Sequence, residues 1–167
     1  NAGHILGSAM CKFFYGDSKI VFTGDLGNSP SPLLPDTDLL TAATHLVMES
    51  VYGDRNHDDV KTRKDKLEDV IEECVKRKGV LLIPTFSLER AQELLFEINT
   101  MRESNSIPLV PVLFDSPLAI KLTAVFKKYT SYFKKEVRDI IAQGEDIFMF
   151  PGLLSTPETE QSKMIVK

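Results

Sequence analysis

Residues 80–98 read VLLIPTFSLERAQELLFEI, and the two halves of the stretch follow different periods. Val80 to Ile83 is an unbroken aliphatic run, the pattern of a strand buried on both faces. Leu88, Ala91, Leu94, Leu95 and Ile98 then recur at three- and four-residue spacing, which predicts a helix with Ser87 as its N-cap. The alternation continues outward in both directions. Downstream, Val112 to Phe114 reads as a strand, and Asp115-Ser116-Pro117 opens another helix. There Ser116 is the cap and Pro117 takes the first helical position, where its missing N–H costs nothing. Leu118, Leu122, Val125, Phe126 and Tyr129 supply that helix with an apolar face. A helix over 132–142, a strand at Ile147 to Phe150 and a final helix opened by Thr156-Pro157-Glu158 complete the run. Upstream, Val60, Leu67, Val70, Ile71, Cys74 and Val75 fall on one helical face. Asp58 and Asp59 at its start and Lys76, Arg77 and Lys78 at its end complement the helix dipole, and Gly79 suits the C-terminal cap.

Helix and strand in alternation over 51–150 predict an α/β fold with a doubly wound parallel sheet. Ligands of such sheets sit beyond the carboxyl ends of the strands. Three polar stretches fall there: Glu49-Ser50, Thr85-Phe86-Ser87 and Asp115-Ser116. Residues 1–50 are different in kind. Ala9 to Tyr15 and Lys19 to Thr23 flank Gly16-Asp17-Ser18 and predict a hairpin. Pro30, Pro32 and Pro35 mark a loop over 28–41. His45 to Glu49 reads as a short strand ending in an acid. The organisation expected is therefore a strand-rich part, 1–50, followed by an α/β part, 51–167.

Composition narrows the class. Apolar residues make up 43% and charged residues 26% of the 167, ordinary for a globular chain with a sizeable core. No apolar run approaches the ~18 residues of a membrane-spanning helix, and no secretory leader is apparent. Cys11 and Cys74 lack metal-type spacing and read as small buried hydrophobes in a reducing cytoplasm. The net charge of −4 does not mark a nucleic-acid binder. The opening Asn1-Ala2-Gly3-His4, without an initiator Met, reads as an internal start.

Three residues draw chemical interest. His4 sits between glycines in GHILGS, residues 3–8. Asp25 sits between glycines in FTGDLG, residues 22–27. Glu49 ends a strand in MESVYGD, residues 48–54. Each alone reads as a turn or cap residue. Together, one imidazole and two carboxylates at loop ends suit zinc, manganese or iron. One His and two acids do not complete a catalytic zinc site unless all three converge. From the residues alone, the reading reaches a partial metal site. Arg90 suits bidentate pairing with a phosphate, or an ion pair with Glu93 or Glu97. His45 and His57 read as surface residues, and Lys127-Lys128 and Lys134-Lys135 as solvated helix faces.

Five ordered motifs add to this. AGHILGSA at 2–9, FTGDLG at 22–27, ESVYGD at 49–54, PTFSLERAQELL at 84–95 and DSPLA at 115–119 together resemble the β-CASP branch of the metallo-β-lactamase superfamily. The resemblance is nearest to the endonuclease subunit of mRNA 3′-end processing and its prokaryotic relatives. It implies a Rossmann-like parallel-sheet β-CASP domain, preceded by the strand-rich end of an incomplete metallo-β-lactamase domain. It implies that His4 is a metal ligand, that Asp25 bridges two zinc ions, and that Glu49 is an active-site acid holding a catalytic His. Ser87, Arg90 and Ser116 are the candidate substrate-binding residues. The family's HxHxDH motif and its later His-bearing motifs have no counterpart here.

The expectation is a zinc-dependent nuclease acting on single-stranded RNA in its intact form. The 167-residue chain alone would bind zinc weakly and cleave nothing, and the exposed edges of residues 1–50 would favour homo-oligomers. The rival is a non-catalytic α/β module that binds nucleic acid or a partner.

Overall fold

A computed structural model describes residues 1–56 and 61–165. The chain packs as two units, Asn1–Asp58 with Tyr132–Lys134, and Asp59–Ser131 with Lys135–Lys167. The readings of His57, Asp58, Asp59 and Val60 fall outside the described residues.

In the first unit, β1 (Cys11–Tyr15) and β2 (Ser18–Phe22) form the expected antiparallel hairpin. Gly16 turns it with φ 53, a conformation that glycine adopts without a Cβ clash. The strand β3 (His45–Val47) pairs parallel to β2, with Phe22 opposite Val47. The pleat splits these residues between two faces. Val21 points into a core with Ala2, Leu33, Leu34 and Phe133 among its buried residues. The other face carries Cys11, Phe13, Phe22 and Val47, and all four are exposed. Phe13 and Phe22 meet edge to face with ring centroids 5.8 Å apart. The reading of Cys11 as buried is thus corrected: it lies on an outer strand, on the face left uncovered. Lys134 is also not a solvated helix residue. Its amide and its ammonium donate to the carbonyls of Leu33 and Ser31, each at 3.0 Å, so it is fixed to the core loop.

The second unit begins with α1 (Lys61–Lys76). Its end departs from the expected glycine cap. Lys78, not Gly79, takes the left-handed position with φ 53. Lys78 N–H donates to Val75 and Gly79 N–H to Cys74, the paired bonds that close a helix of this kind. Residues 80–83 form no strand. Val80 and Leu82 are 96% and 83% exposed, against the buried strand that the sequence suggests. A strand is held by ladder bonds to a neighbour, and among the described residues no strand pairs with this segment.

The helix α2 (Arg90–Glu103) starts later than its sequence suggests. Glu89, at φ 64 and ψ −60, lies in a positive-φ γ-turn in which Arg90 N–H donates to Leu88. That turn displaces the helix start past Ser87, which therefore does not cap it. By contrast, α3 (Pro117–Lys128) begins as read, with Ser116 Oγ accepting from Ala119 N–H at 3.2 Å. The strands β4 (Val112–Phe114) and β5 (Leu153–Ser155) pair in parallel. Two strands, not a doubly wound sheet, are formed among the described residues of this unit. The strand expected at 147–150 is a turn instead. Asp146 Oδ1 accepts from Phe148 N–H, which curls the segment so that Ile147, Phe148 and Phe150 enter the core. A 3₁₀ turn at Thr130–Tyr132 precedes α4 (Lys135–Ala142), and α5 (Thr159–Ile165) closes the unit.

Gln92 joins α2 to α3. It is 0% exposed, and its Nε2 lies near Ser87 O, Ala119 O and Thr123 Oγ1 at 3.2, 3.4 and 2.9 Å. Gln92→Leu keeps the volume but strips these acceptors of their donor. Denaturant unfolding should show a loss of about 1–3 kcal/mol, the scale for buried polar groups left unpaired. An unchanged midpoint would show that the amide holds nothing.

Candidate metal centre

The first unit places His4 and Asp25 side by side. The segment around His4 is a closed loop. Ala2 N–H donates to Ser8 O at 3.2 Å and Ser8 N–H to Ile5 O at 2.9 Å. Ser8 Oγ accepts from the amides of His4 and Ile5 at 3.1 and 3.3 Å. Gly3 and Gly7 take φ of 66 and 89, which lets the chain fold back so tightly. Asn1 fixes this segment to the proline-rich loop. Asn1 Nδ2 donates to the carbonyls of Pro35 and Asp36, and Asp38 N–H donates to Asn1 O.

Asp25 follows β2. Thr23, 1% exposed, donates its amide to Val47 O at 3.0 Å and its hydroxyl to Gly24 O at 2.7 Å. Leu26 N–H donates to Glu49 Oε1 at 2.5 Å. Gly27 N–H donates to Ala2 O at 2.8 Å and so ties the Asp25 loop to the His4 loop. Thr37 supports the same carbonyl with its hydroxyl at 2.9 Å. The result brings His4 Nε2 within 3.9 Å of Asp25 Oδ2, with side chains 36% and 76% exposed.

An imidazole and a carboxylate at this spacing suit a shared divalent ion. Two donors, each about 2 Å from a tetrahedral zinc, stand somewhat over 3 Å apart. Such a pair would fill two of the three protein positions of a catalytic zinc. Among the described residues no group of three or more His, Cys, Asp or Glu is placed to hold a metal. Glu49 joins by a different route than ligation, through the Leu26 amide. His45 lies on β3, exposed, with Nδ1 3.1 Å from Thr44 Oγ1. Thr23, Ser8, Gly27 and Thr37 were not singled out by sequence reading. Their signal is slight: Ser8 and Gly27 sit inside the quoted motifs, while Thr37 lies in a proline-rich loop.

In the second unit, Ser87 and Ser116 are brought together, their Oγ atoms 3.4 Å apart. They lie beside the carboxyl ends of β4 and β5, where Thr156 Oγ1 donates to Asp115 at 2.8 Å. Arg90 takes the ion-pair option, with Nη1 2.6 Å from Glu93 Oε2.

The chain is similar to several known proteins. The family model described as the Beta-Casp domain matches residues 91–167. A ribonuclease of Thermus thermophilus is 34% identical over 164 residues, covering 98% of this chain and 38% of the ribonuclease. An RNase J-like protein of Methanocaldococcus jannaschii is 36% identical over 147 residues, 84% of this chain and 34% of that protein. The endoribonuclease YSH1 of Saccharomyces cerevisiae is 30% identical over 143 residues, 83% of this chain and 18% of the enzyme.

Proposed function

This chain belongs to the metallo-β-lactamase/β-CASP family of nucleases, and on that premise we propose that it serves metal-dependent hydrolysis of single-stranded RNA. The juxtaposition of His4 and Asp25 carries the reading. Relatives named as a ribonuclease and an endoribonuclease support the reaction class and favour RNA over DNA. The chain spans only 38% of the Thermus ribonuclease, so the activity is assigned to the full-length protein.

In this reading, residues 1–50 belong to a metallo-β-lactamase domain and 51–167 to a Rossmann-like β-CASP domain. His4 and Asp25 would hold the zinc ions, His4 serving one and Asp25 both, with the remaining ligands coming from the rest of the full-length protein. When bound, the two ions supply an activated water and a charge clamp on the phosphate. Glu49 is the active-site acid. The Ser87 and Ser116 hydroxyls and Arg90 are donors for phosphate oxygens of the strand, Arg90 on release from Glu93. The free thiols of Cys11 and Cys74 suit a cytoplasmic setting. Among the described residues no helix is long and apolar enough to cross a membrane. The uncovered sheet face with Phe13, Phe22 and Val47 favours self-association of the isolated chain.

A zinc titration paired with an assay on labelled single-stranded RNA tests this. The full-length protein should cleave in a metal-dependent way. The 167-residue chain should bind zinc weakly and cleave nothing, because two ligands leave each ion short. Tight stoichiometric binding and cleavage by the chain alone would overturn the ligand count. RNA binding without cleavage by the full-length protein would favour the non-catalytic alternative.

A further inference from the structure

We propose that Glu49 is a positioning residue, whose carboxylate sets the orientation of Asp25 by gripping the Leu26 backbone N–H. The proposal rests on the reading of Asp25 as a metal ligand, but the grip itself is visible without one.

Parallel pairing creates the arrangement. Phe22 lies opposite Val47, so the chain leaves β2 and β3 at the same edge of the sheet. The segment after β2 carries Asp25 and Leu26, and the segment after β3 carries Glu49. Leu26 N–H donates to Glu49 Oε1 at 2.5 Å. The opposite shoulder of the loop is fixed by Thr23, through Val47 O and Gly24 O. Glu49 N–H leans on the same threonine, 3.4 Å from its Oγ1. Asp25 itself is largely solvent-exposed, and its carboxylate lies 3.9 Å from His4 Nε2. Gly24, directly before it, takes φ 59, a conformation in which a residue with a Cβ would be strained. The direction of the Asp25 side chain is therefore set by the bonds on either side of it, and the Leu26 bond is the nearer restraint on its C-terminal side. That bond uses Oε1 alone, so Oε2 keeps its lone pairs for a further donor. One residue can thus position Asp25 and still serve a second group.

Groups that orient metal ligands typically change metal affinity by about 10–100-fold when removed. Glu49→Gln retains an acceptor oxygen on the same frame, and Glu49→Ala removes it. Two measurements on the full-length protein separate the possibilities: zinc affinity by competition with a chelator, and amide hydrogen exchange of the metal-free form. Glu49→Ala should weaken zinc roughly 10–100-fold and speed exchange at Leu26. The amide of Val21 in β2 should stay protected, which certifies the fold. Glu49→Gln should restore Leu26 protection and most of the affinity, a rescue that a general packing defect would not give. The inference is overturned if Glu49→Ala leaves Leu26 exchange and zinc affinity unchanged, or if Gln fails as badly as Ala on both. Asp25→Ala is the control for the underlying reading. If that variant keeps full zinc affinity, the metal assignment fails, while Leu26 exchange in the Glu49 variants still decides whether the grip exists.

Discussion

Asp25→Ala in the full-length protein is expected to abolish RNA hydrolysis while leaving the fold intact. The two halves of that expectation have separate physical origins. Asp25 is the carboxylate assigned to both ions, so its loss removes a ligand from each at once. Groups that act as a unit are lost together, and the drop in turnover should be on the order of 10⁴ or more. Stability should hardly move. The side chain is 76% exposed and lies 3.9 Å from His4. Exposed truncations of this kind usually stay within about 0.5 kcal/mol. Asp25→Asn sharpens the test, since it keeps the shape and loses the charge, and it should be nearly as inactive. Turnover is measured on labelled RNA at limiting zinc, with a thermal melt of each variant alongside. Near-normal turnover at limiting zinc would remove Asp25 from the metal site.

The features legible in the sequence are those fixed by neighbours along the chain. The β1–β2 hairpin follows from Gly16-Asp17 between two apolar runs, and it forms as read. Ser116 and Pro117 define a helix start by local chemistry alone, and the cap is there. Ser87 carried a similar signal and failed. The γ-turn at Glu89 shifts the helix start, and a buried glutamate at φ 64 has no local signature. Strands need partners distant in sequence, which explains the misreadings at 80–83 and 147–150. Apolar character there was real, but at Ile147 and Phe148 it serves a buried turn that Asp146 caps. At the site, the residue types and their flanking glycines were legible. The Glu49–Leu26 bond was not, because a backbone N–H looks the same at every position until the chain is folded.

Gly27 illustrates a glycine required by proximity and not by its own dihedral angles. A Cβ built on it would stand 1.8 Å from Gly3 O and 2.2 Å from Gly3 C. Both are backbone atoms of the loop that carries His4, so neither can swing aside as a side chain end would. Gly27→Ala must push the two loops apart and break the 2.8 Å bond from Gly27 N–H to Ala2 O. Two consequences are expected. Overpacking should cost about 1–3 kcal/mol of stability. His4 should also draw away from Asp25, and a displacement of about 1 Å in a catalytic constellation costs on the order of a hundredfold in rate. On the proposed ligation, zinc affinity should fall with it, because His4 and Asp25 no longer point at one place. Gly16→Ala is the matched comparison. Gly16 also requires a glycine-type conformation, φ 53, but an added Cβ there meets nothing within 4 Å. It sits at the hairpin tip and should lose about 1–2 kcal/mol to backbone strain with turnover and zinc affinity unchanged. Equal zinc affinities for the two variants would show that the contact between the Gly27 and Gly3 backbones does not hold the site together. A selective loss in Gly27→Ala would show that the proposed metal site depends on the close passage of two loops that only a glycine permits.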